Sequence, residues 1–333
     1  MKTCKEFSQN SNDFKGFPIK TFRAFALFFG LFFVLILTLG FLIYRANHNL
    51  YIEDAKNSVE SVLGLTQELI SHEKQLALSI ALMLSQNETL KEGYLKNDRA
   101  LLFETLQSEI SKIKHYLQIE NLEVQLHTKE AKAYVRSWDF DDYGDDLSSF
   151  RKGITLLHQT KMPLVAIELG KRLNIKALCP IYAKNEFIGS LEIIISFDEV
   201  AQKLNAKKIN FVILMDKELL EIGEWMKELT QIDNYVIVSN GCPSGCINAL
   251  NAIISTSTLE KGFARSNDAL FGFTPLFDIE AKQVGYIGIW FGESLLKESL
   301  LLRASLTPRA TPLHVKTLEP AIEDSQKREV LIR

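Results

Sequence analysis

The spacing of apolar positions changes along this chain. From Ala24 to Tyr44 they are continuous: AFALFFGLFFVLILTLGFLIY carries no charge. At about 1.5 Å per helical residue the run reaches roughly 30 Å, the thickness of a bilayer core. A cleaved leader would have a shorter apolar core, about 7–15 residues, ending in small residues. Phe41-Leu42-Ile43-Tyr44-Arg45 is a poor cleavage site, so the run reads as an uncleaved anchor. Lys2, Lys5, Lys15, Lys20 and Arg23 precede it, and only Arg45 follows before Glu53 and Asp54. The positive-inside bias places residues 1–23 in the cytoplasm and everything after residue 44 outside, which in a bacterium is the periplasm.

Past Arg45 the spacing becomes three and four. Ala55, Val59, Val62, Thr66, Leu69, Glu73, Leu76, Ile80 and Met83 fall on one face of a long helix. Thr66 and Glu73 spoil a strict coiled-coil seam. The face either packs on its own domain or lines a dimer interface, and different stretches can do each. Asn97-Asp98 offers a cap to a second helix marked by Leu102, Leu106, Ile110 and Ile113. At Leu122 the period falls to two. Leu122, Val124 and Leu126, then Ala133 and Val135, predict a hairpin. An Asp- and Gly-rich loop covers 139–146, and Leu147 to Leu157 reads as a short helix or turn. Strands follow at 164–169, 175–182 and 187–197, the last two joined at Asn185.

A shorter version of this plan is predicted next, with strands at 211–215, 235–238, 263–265, 270–276 and 283–291 and short helices at 218–229 and 247–254. The tail from about Leu306 is polar, contains Pro308, Pro312 and Pro320, and is expected to lack a packed core. The predicted class is α+β: a single N-terminal transmembrane helix (24–44), a long helix and second helix (45–120), and two antiparallel-sheet modules (121–203 and 204–293). A cytoplasmic segment (1–23) and a C-terminal tail (294–333) flank them.

Composition narrows the function. The 333 residues carry 38 Lys plus Arg against 41 Asp plus Glu, a net charge of −3, which leaves no basic footprint for nucleic acid. Neither a P-loop, GxSxG, HExxH nor dinucleotide fingerprint is present, so an enzyme is not expected. The 6 His are scattered and the 139–146 loop lacks the EF-hand pattern, so neither metal nor cofactor is expected. Cys242 and Cys246 sit close together in an external loop, CPSGC, and are candidates for a disulfide. Cys179, between apolar strand residues, reads as a small buried hydrophobe.

The stretches YVRSWDFDDYGDDLSSFRKGI (134–154) and LNIKALCPIYAKNEFIGSLEI (173–193) resemble the double Cache sensory domain of bacterial chemoreceptors and sensor kinases. Arg136, Tyr143, Gly144, Asp145, Asp146, Leu147, Ser148 and Arg151 match one family pattern. Pro180, Ile181, Tyr182, Ile188, Gly189, Ser190, Leu191 and Glu192 match its hairpin. The similarity extends over about residues 50–293. It implies two PAS-like modules on a helix rising from the inner membrane, a small-molecule ligand in the membrane-distal first module, and a homodimer through the long helix. Full receptors of the family continue into a second membrane helix, a HAMP segment and a signalling domain, which residues 300–333 do not resemble. The chain is therefore expected to be either a truncated receptor or a stand-alone sensor with a separate signalling partner.

The candidate ligand-binding residues are Arg136, Trp138, Asp146, Arg151 and Tyr182. A guanidinium beside an indole suits a small carboxylate or amino acid. In the competing reading Arg136 pairs with an acid of the 139–146 loop and Trp138 belongs to the core. Asp146 either caps a helix starting near Leu147 or meets a ligand ammonium, while Gly144 supplies an unusual dihedral. Arg172 and Lys176 could add positive charge, but Lys171 to Lys176 reads more simply as a solvated turn. The expected function is a membrane-anchored extracytoplasmic sensor in signal transduction, such as chemotaxis. The alternative is an interaction protein of the same fold with a degenerate pocket.

Overall fold

A helix without proline dominates the N-terminal part. In the computed structural model, which describes residues 19–238, 244–266 and 268–295, α1 runs unbroken over Ile19–Ser85. It joins the apolar run to everything that follows. Apolar side chains from Leu27 to Tyr44 are exposed, from 50% for Ile36 to 71% for Leu31, so no core among the described residues covers them. Further along, Ala55, Val59, Thr66, Ile70, Glu73, Ala77, Ile80 and Leu84 are buried, whereas Met83 is exposed. The buried stripe leaves the predicted heptad seam because a 3.6-residue helix drifts against a seven-residue repeat. The two polar interruptions have partners: Thr66 Oγ1 donates to the Val62 carbonyl at 2.8 Å, and Glu73 is ion-paired to Lys203.

Two shorter helices follow. α2 (Glu88–Lys96) is capped by Asn87, whose side chain accepts from Leu90 N, and α3 (Arg99–Leu117) by Asp98, accepting from Leu101 N. Leu102, Leu106, Ile110 and Ile113 form the buried face of α3. The first module then comprises β1 (Leu122–Thr128), β2 (Ala133–Arg136), α4 (Lys152–Thr160), β3 (Leu164–Leu169), β4 (Leu173–Ala183), β5 (Glu186–Ile195) and α5 (Asp198–Asn205). Its antiparallel sheet has the order β2-β1-β5-β4-β3. Lys184 and Asn185 both take positive φ, 51° and 64°, as a tight hairpin turn between β4 and β5 requires.

The second module comprises β6 (Asn210–Asp216), β7 (Gln231–Ile232), β8 (Tyr235–Ile237), α6 (Ser244–Asn251), α7 (Thr256–Lys261), β9 (Phe263–Ser266), β10 (Ala269–Phe277) and β11 (Gln283–Gly292). Its order is β7-β8-β6-β11-β10-β9. The helix predicted over 218–229 is instead a pair of 3₁₀ turns, Lys217–Glu221 and Glu224–Met226. Gly223 separates them, and glycine weakens a helix interior. One core cluster gathers Val212, Leu214, Phe271, Phe273, Tyr286 and Trp290 under Leu250 of α6 and Leu259 of α7.

Both modules lean on α1. A Cβ at Gly272 would lie 2.4 Å from Val59 Cγ1, so the second sheet meets the helix there with no room for a side chain. At the helix's far end Cys179 Sγ of β4 donates to Ser85 Oγ at 3.3 Å. Cys179 is buried and free. The second module is thus the one nearer the apolar run. The proposed Cys242–Cys246 pair lies outside the described residues and side chains. Residues 294–333 form a separate unit, of which only 294 and 295 are described, so the expectation of an unpacked tail also lies outside them.

Candidate functional site

The first sheet has one dry face and one polar face. Strand partners in register share a face. Arg136 stands opposite Gln125, Gln125 opposite Glu192, and Glu192 opposite Leu178, while Ile194 stands opposite Lys176 in the next row. Cys179, on the other face, is turned to α1. The polar face is covered by α4 and the 137–151 loop. From α3, Arg99 ties that loop to β2: Nε donates to the Tyr134 carbonyl of β2 at 2.9 Å, and Cζ lies 3.4 Å from the Tyr143 ring centroid in the loop. Gly144, at φ +93°, makes the turn in it.

Between the sheet and its cover lies a cavity of about 50 Å³. One water needs about 10–15 Å³, so the space fits a small polar group. Gln125, Arg136, Trp138, Arg151, Asn174 and Lys176 supply its polar lining, and Lys171, Arg172 and Trp225 stand at its mouth. Among the described residues no carboxylate lines it. Gln125 Nε2 and Trp138 Nε1 are buried with no hydrogen-bond partner among the described residues. Lys176 is 3% exposed, and burial, followed by the nearby Arg151, pushes its ammonium down to about 8. Beside this cavity a wider groove of about 510 Å³ runs between the modules, lined by Asp145, Asp146, Phe150 and Lys171 on one side and Glu221, Ile222 and Glu224 on the other.

The two arginines are committed to acids of the fold. Arg136 is buried, donates through Nη2 to Asp145 Oδ2 at 2.8 Å and through Nη1 to the Asp142 carbonyl at 3.1 Å, and is ion-paired to the Asp142 carboxylate. The hydrogen bond from Arg136 lowers the Asp145 pKa. Arg151 reaches Glu168 through Nε at 3.4 Å and Nη2 at 3.3 Å, and Glu192 through Nη1 at 3.2 Å and Nη2. Burial works against both charges of this pair. It is outweighed, so the Arg151 guanidinium stays above its ordinary pKa and the Glu192 carboxyl falls well below its own. Glu168 Oε1 also accepts from Gly153 N at 2.9 Å and so serves the start of α4. Next in the row, His127 Nδ1 lies 3.0 Å from Ser190 Oγ, and burial lowers the His127 pKa, which keeps the ring neutral.

Of the five residues predicted from the sequence, Arg136, Trp138 and Arg151 meet at this cavity. Strand β2 ends at Arg136, and the turn that follows it brings Trp138 there. Asp146 does not join them. Its Oδ1 accepts from Ser148 N at 3.0 Å in a local turn on the groove side, and α4 starts only at Lys152, so Asp146 does not cap it. Tyr182 is also elsewhere: it is 38% exposed at the end of β4, with its ring 6.0 Å from Phe187. The 171–176 stretch is not a solvated turn, because Asn174 and Lys176 belong to β4 and are buried. The signal for them was available: two polar residues at a spacing of two in an otherwise apolar strand mark a polar face. Trp225 had no such signal, being brought there by the other module.

The chain is thus two antiparallel-sheet modules carried on one long helix, with a donor-lined cavity in the module farther from the apolar run. The chain belongs to the double Cache family described as the double sensory domain of two-component sensor kinases, which matches residues 52–231. No curated protein matches it. Solved structures similar to it include three sensor domains. The extracellular domain of the putative histidine kinase vpHK1S-Z8 is 14% identical, covering 74% of this chain and 94% of that one, at a TM-score of 0.46. The sensor domain of the V. cholerae histidine kinase DctB is 12% identical, covering 71% and 96%, at 0.42. The sensory domain of the Campylobacter jejuni chemoreceptor Tlp3 with isoleucine bound is 17% identical, covering 75% and 96%, at 0.44.

Proposed function

We propose that this chain is a membrane-anchored extracytoplasmic sensor whose first module binds a small ligand bearing a carboxylate. The observation that carries the reading is the cavity's lining: a buried ammonium and two buried, unpartnered N–H donors, with no carboxylate among the described lining residues. Such a site favours acceptor oxygens, since leaving buried donors unmade costs about 1–3 kcal/mol each. Lys176, Gln125, Trp138 and Asn174 meet the ligand directly. Arg136, already held by Asp142 and Asp145, fixes the wall behind them. The anchor is the exposed apolar stretch of α1, with its N-terminus in the cytoplasm by the charge bias and the modules in the periplasm. The chain acts by binding, not turnover, as a homodimer through exposed parts of α1, and passes its signal to an output domain or partner.

One observation favours the second reading, an interaction protein with a degenerate pocket. Arg136 and Arg151 are already engaged by acids and the cavity is small. A thermal-shift screen of the full chain in detergent separates the two. Carboxylates and amino acids are tested beside amines. A ligand at 100 times its Kd adds about 2.7 kcal/mol. Stabilisation by a carboxylate that disappears in Lys176→Gln supports the sensor. A well-folded protein that no compound stabilises supports the degenerate pocket.

A further inference from the structure

The first module does not enclose its cavity alone. Trp225 stands at the mouth, and it is carried by the second module, on the 3₁₀ turn Glu224–Met226 that follows β6. Its backbone N donates to the Lys171 carbonyl at 3.2 Å. Lys171 Nζ and Arg172 Cζ each lie 5.2 Å from its ring centroid, within cation–π range. The next residue, Met226, is buried, and its Sδ accepts from Leu173 N at 3.5 Å.

The partner of this contact is the β3–β4 turn, Gly170-Lys171-Arg172. That turn also touches the inside of the cavity. A Cβ on Gly170 would lie 2.6 Å from Lys176 Nζ and 3.3 Å from Arg151 Cδ. One three-residue turn therefore packs against the cavity's buried cations on its inner side and against the second module on its outer side. Lys217 N, at the start of the same segment, donates to the Asn234 carbonyl at 2.9 Å, which ties the segment to the second sheet's edge.

We infer that Trp225 is the second module's contribution to the ligand site, and that occupancy of the first module is linked through the 170–172 turn to the contact between the modules. The inference rests on the sensor reading above. A ligand that draws Lys176 toward its carboxylate shifts the group against which Gly170 packs, and Trp225 rests on the far side of that turn. Linkage is reciprocal: whatever loosens Trp225 weakens the ligand by the same factor that the ligand tightens Trp225.

The test uses the full chain in detergent, with acetate, succinate and L-alanine as probes. Calorimetry gives Kd for the native chain, Trp225→Ala and Trp225→Phe. Hydrogen exchange is followed over residues 217–226 with and without the bound probe. Trp225 is 45% exposed, so its truncation leaves the fold intact. The expected result is a rise in Kd of about tenfold in Trp225→Ala, with most of the affinity kept in Trp225→Phe, because a phenyl ring still walls the mouth of the cavity. Exchange over 217–226 slows on binding in the native chain and not in Trp225→Ala. Binding that is unchanged in Trp225→Ala, with exchange over 217–226 indifferent to the probe, overturns the linkage and leaves the sensor reading intact. Failure of all probes to bind the native chain overturns the carboxylate reading and this inference together.

Discussion

Replacing Arg151 by methionine removes the one guanidinium that serves two buried carboxylates. Glu192 is fully buried and Glu168 is 3% exposed, and Arg151 meets both. Losing one member of a buried pair costs about 3–5 kcal/mol, because the remaining charge cannot return to water. At roughly 2–4 °C per kcal/mol for a domain of this size, the melting temperature should fall by about 6–20 °C. The assay is thermal unfolding of the full chain in detergent, followed by circular dichroism at pH 7 and pH 4. In the native chain the Glu192 pKa is depressed, so its contribution is complete above the ordinary glutamate range and is lost as pH falls through the depressed value. In Arg151→Met the stranded Glu192 carboxylate favours its neutral form, so the deficit against the native chain should narrow between pH 7 and pH 4. Glu192→Gln in the same background should recover part of the loss, with a coupling of about 0.5–3 kcal/mol. A fall below about 2 °C, or a deficit independent of pH together with strict additivity, would refute the reasoning.

Burial holds the Lys176 pKa near 8, so its charge is present below that value and lost as pH rises through it. Carboxylate binding should therefore weaken from pH 7 to pH 9, and calorimetry should find that step absent in Lys176→Gln. Gly170→Ala places a methyl against the movable end of Lys176, so it should reduce ligand affinity by about tenfold while changing the melting temperature little. Calorimetry and melting curves on one sample decide it. Tyr182→Ala should leave ligand binding unchanged, since the ring lies outside the cavity; a large loss of affinity would move the site toward the hairpin.

Much of the fold could be read from periodicity. The alternation at 122–126 and 133–135, the apolar strand at 175–182 and the Asn185 turn all fall within the elements of the first sheet. Short elements escaped: α2, α5, α7 and β7 offer too few apolar repeats to separate from their neighbours. The site was only partly legible. Arg136 and Trp138 are close in sequence and a turn keeps them close in space. Lys176 was missed because its neighbours Lys171 and Arg172 made a charged run, whereas the strand begins at Leu173 and draws Asn174 and Lys176 inside. Trp225 reaches the cavity through contacts between modules, which no local pattern encodes. Arg151 lines the cavity, but the acids that hold it lie on β3 and β5, and only sheet register brings them together.

The unbroken α1 has a geometric consequence. It carries the apolar stretch up to Tyr44, meets the second sheet at Val59 and the first at Ser85, some 39 Å further at 1.5 Å per residue. Because the whole path is one helix, angle and residue count are interchangeable along it. One residue inserted between Tyr44 and Tyr51 would turn both modules together by about 100° about the helix axis, whereas seven would return them to within about 20°. The compass heading of the cavity, and of whichever face meets a neighbour, is thus written into the number of residues that separate the apolar stretch from Ala55.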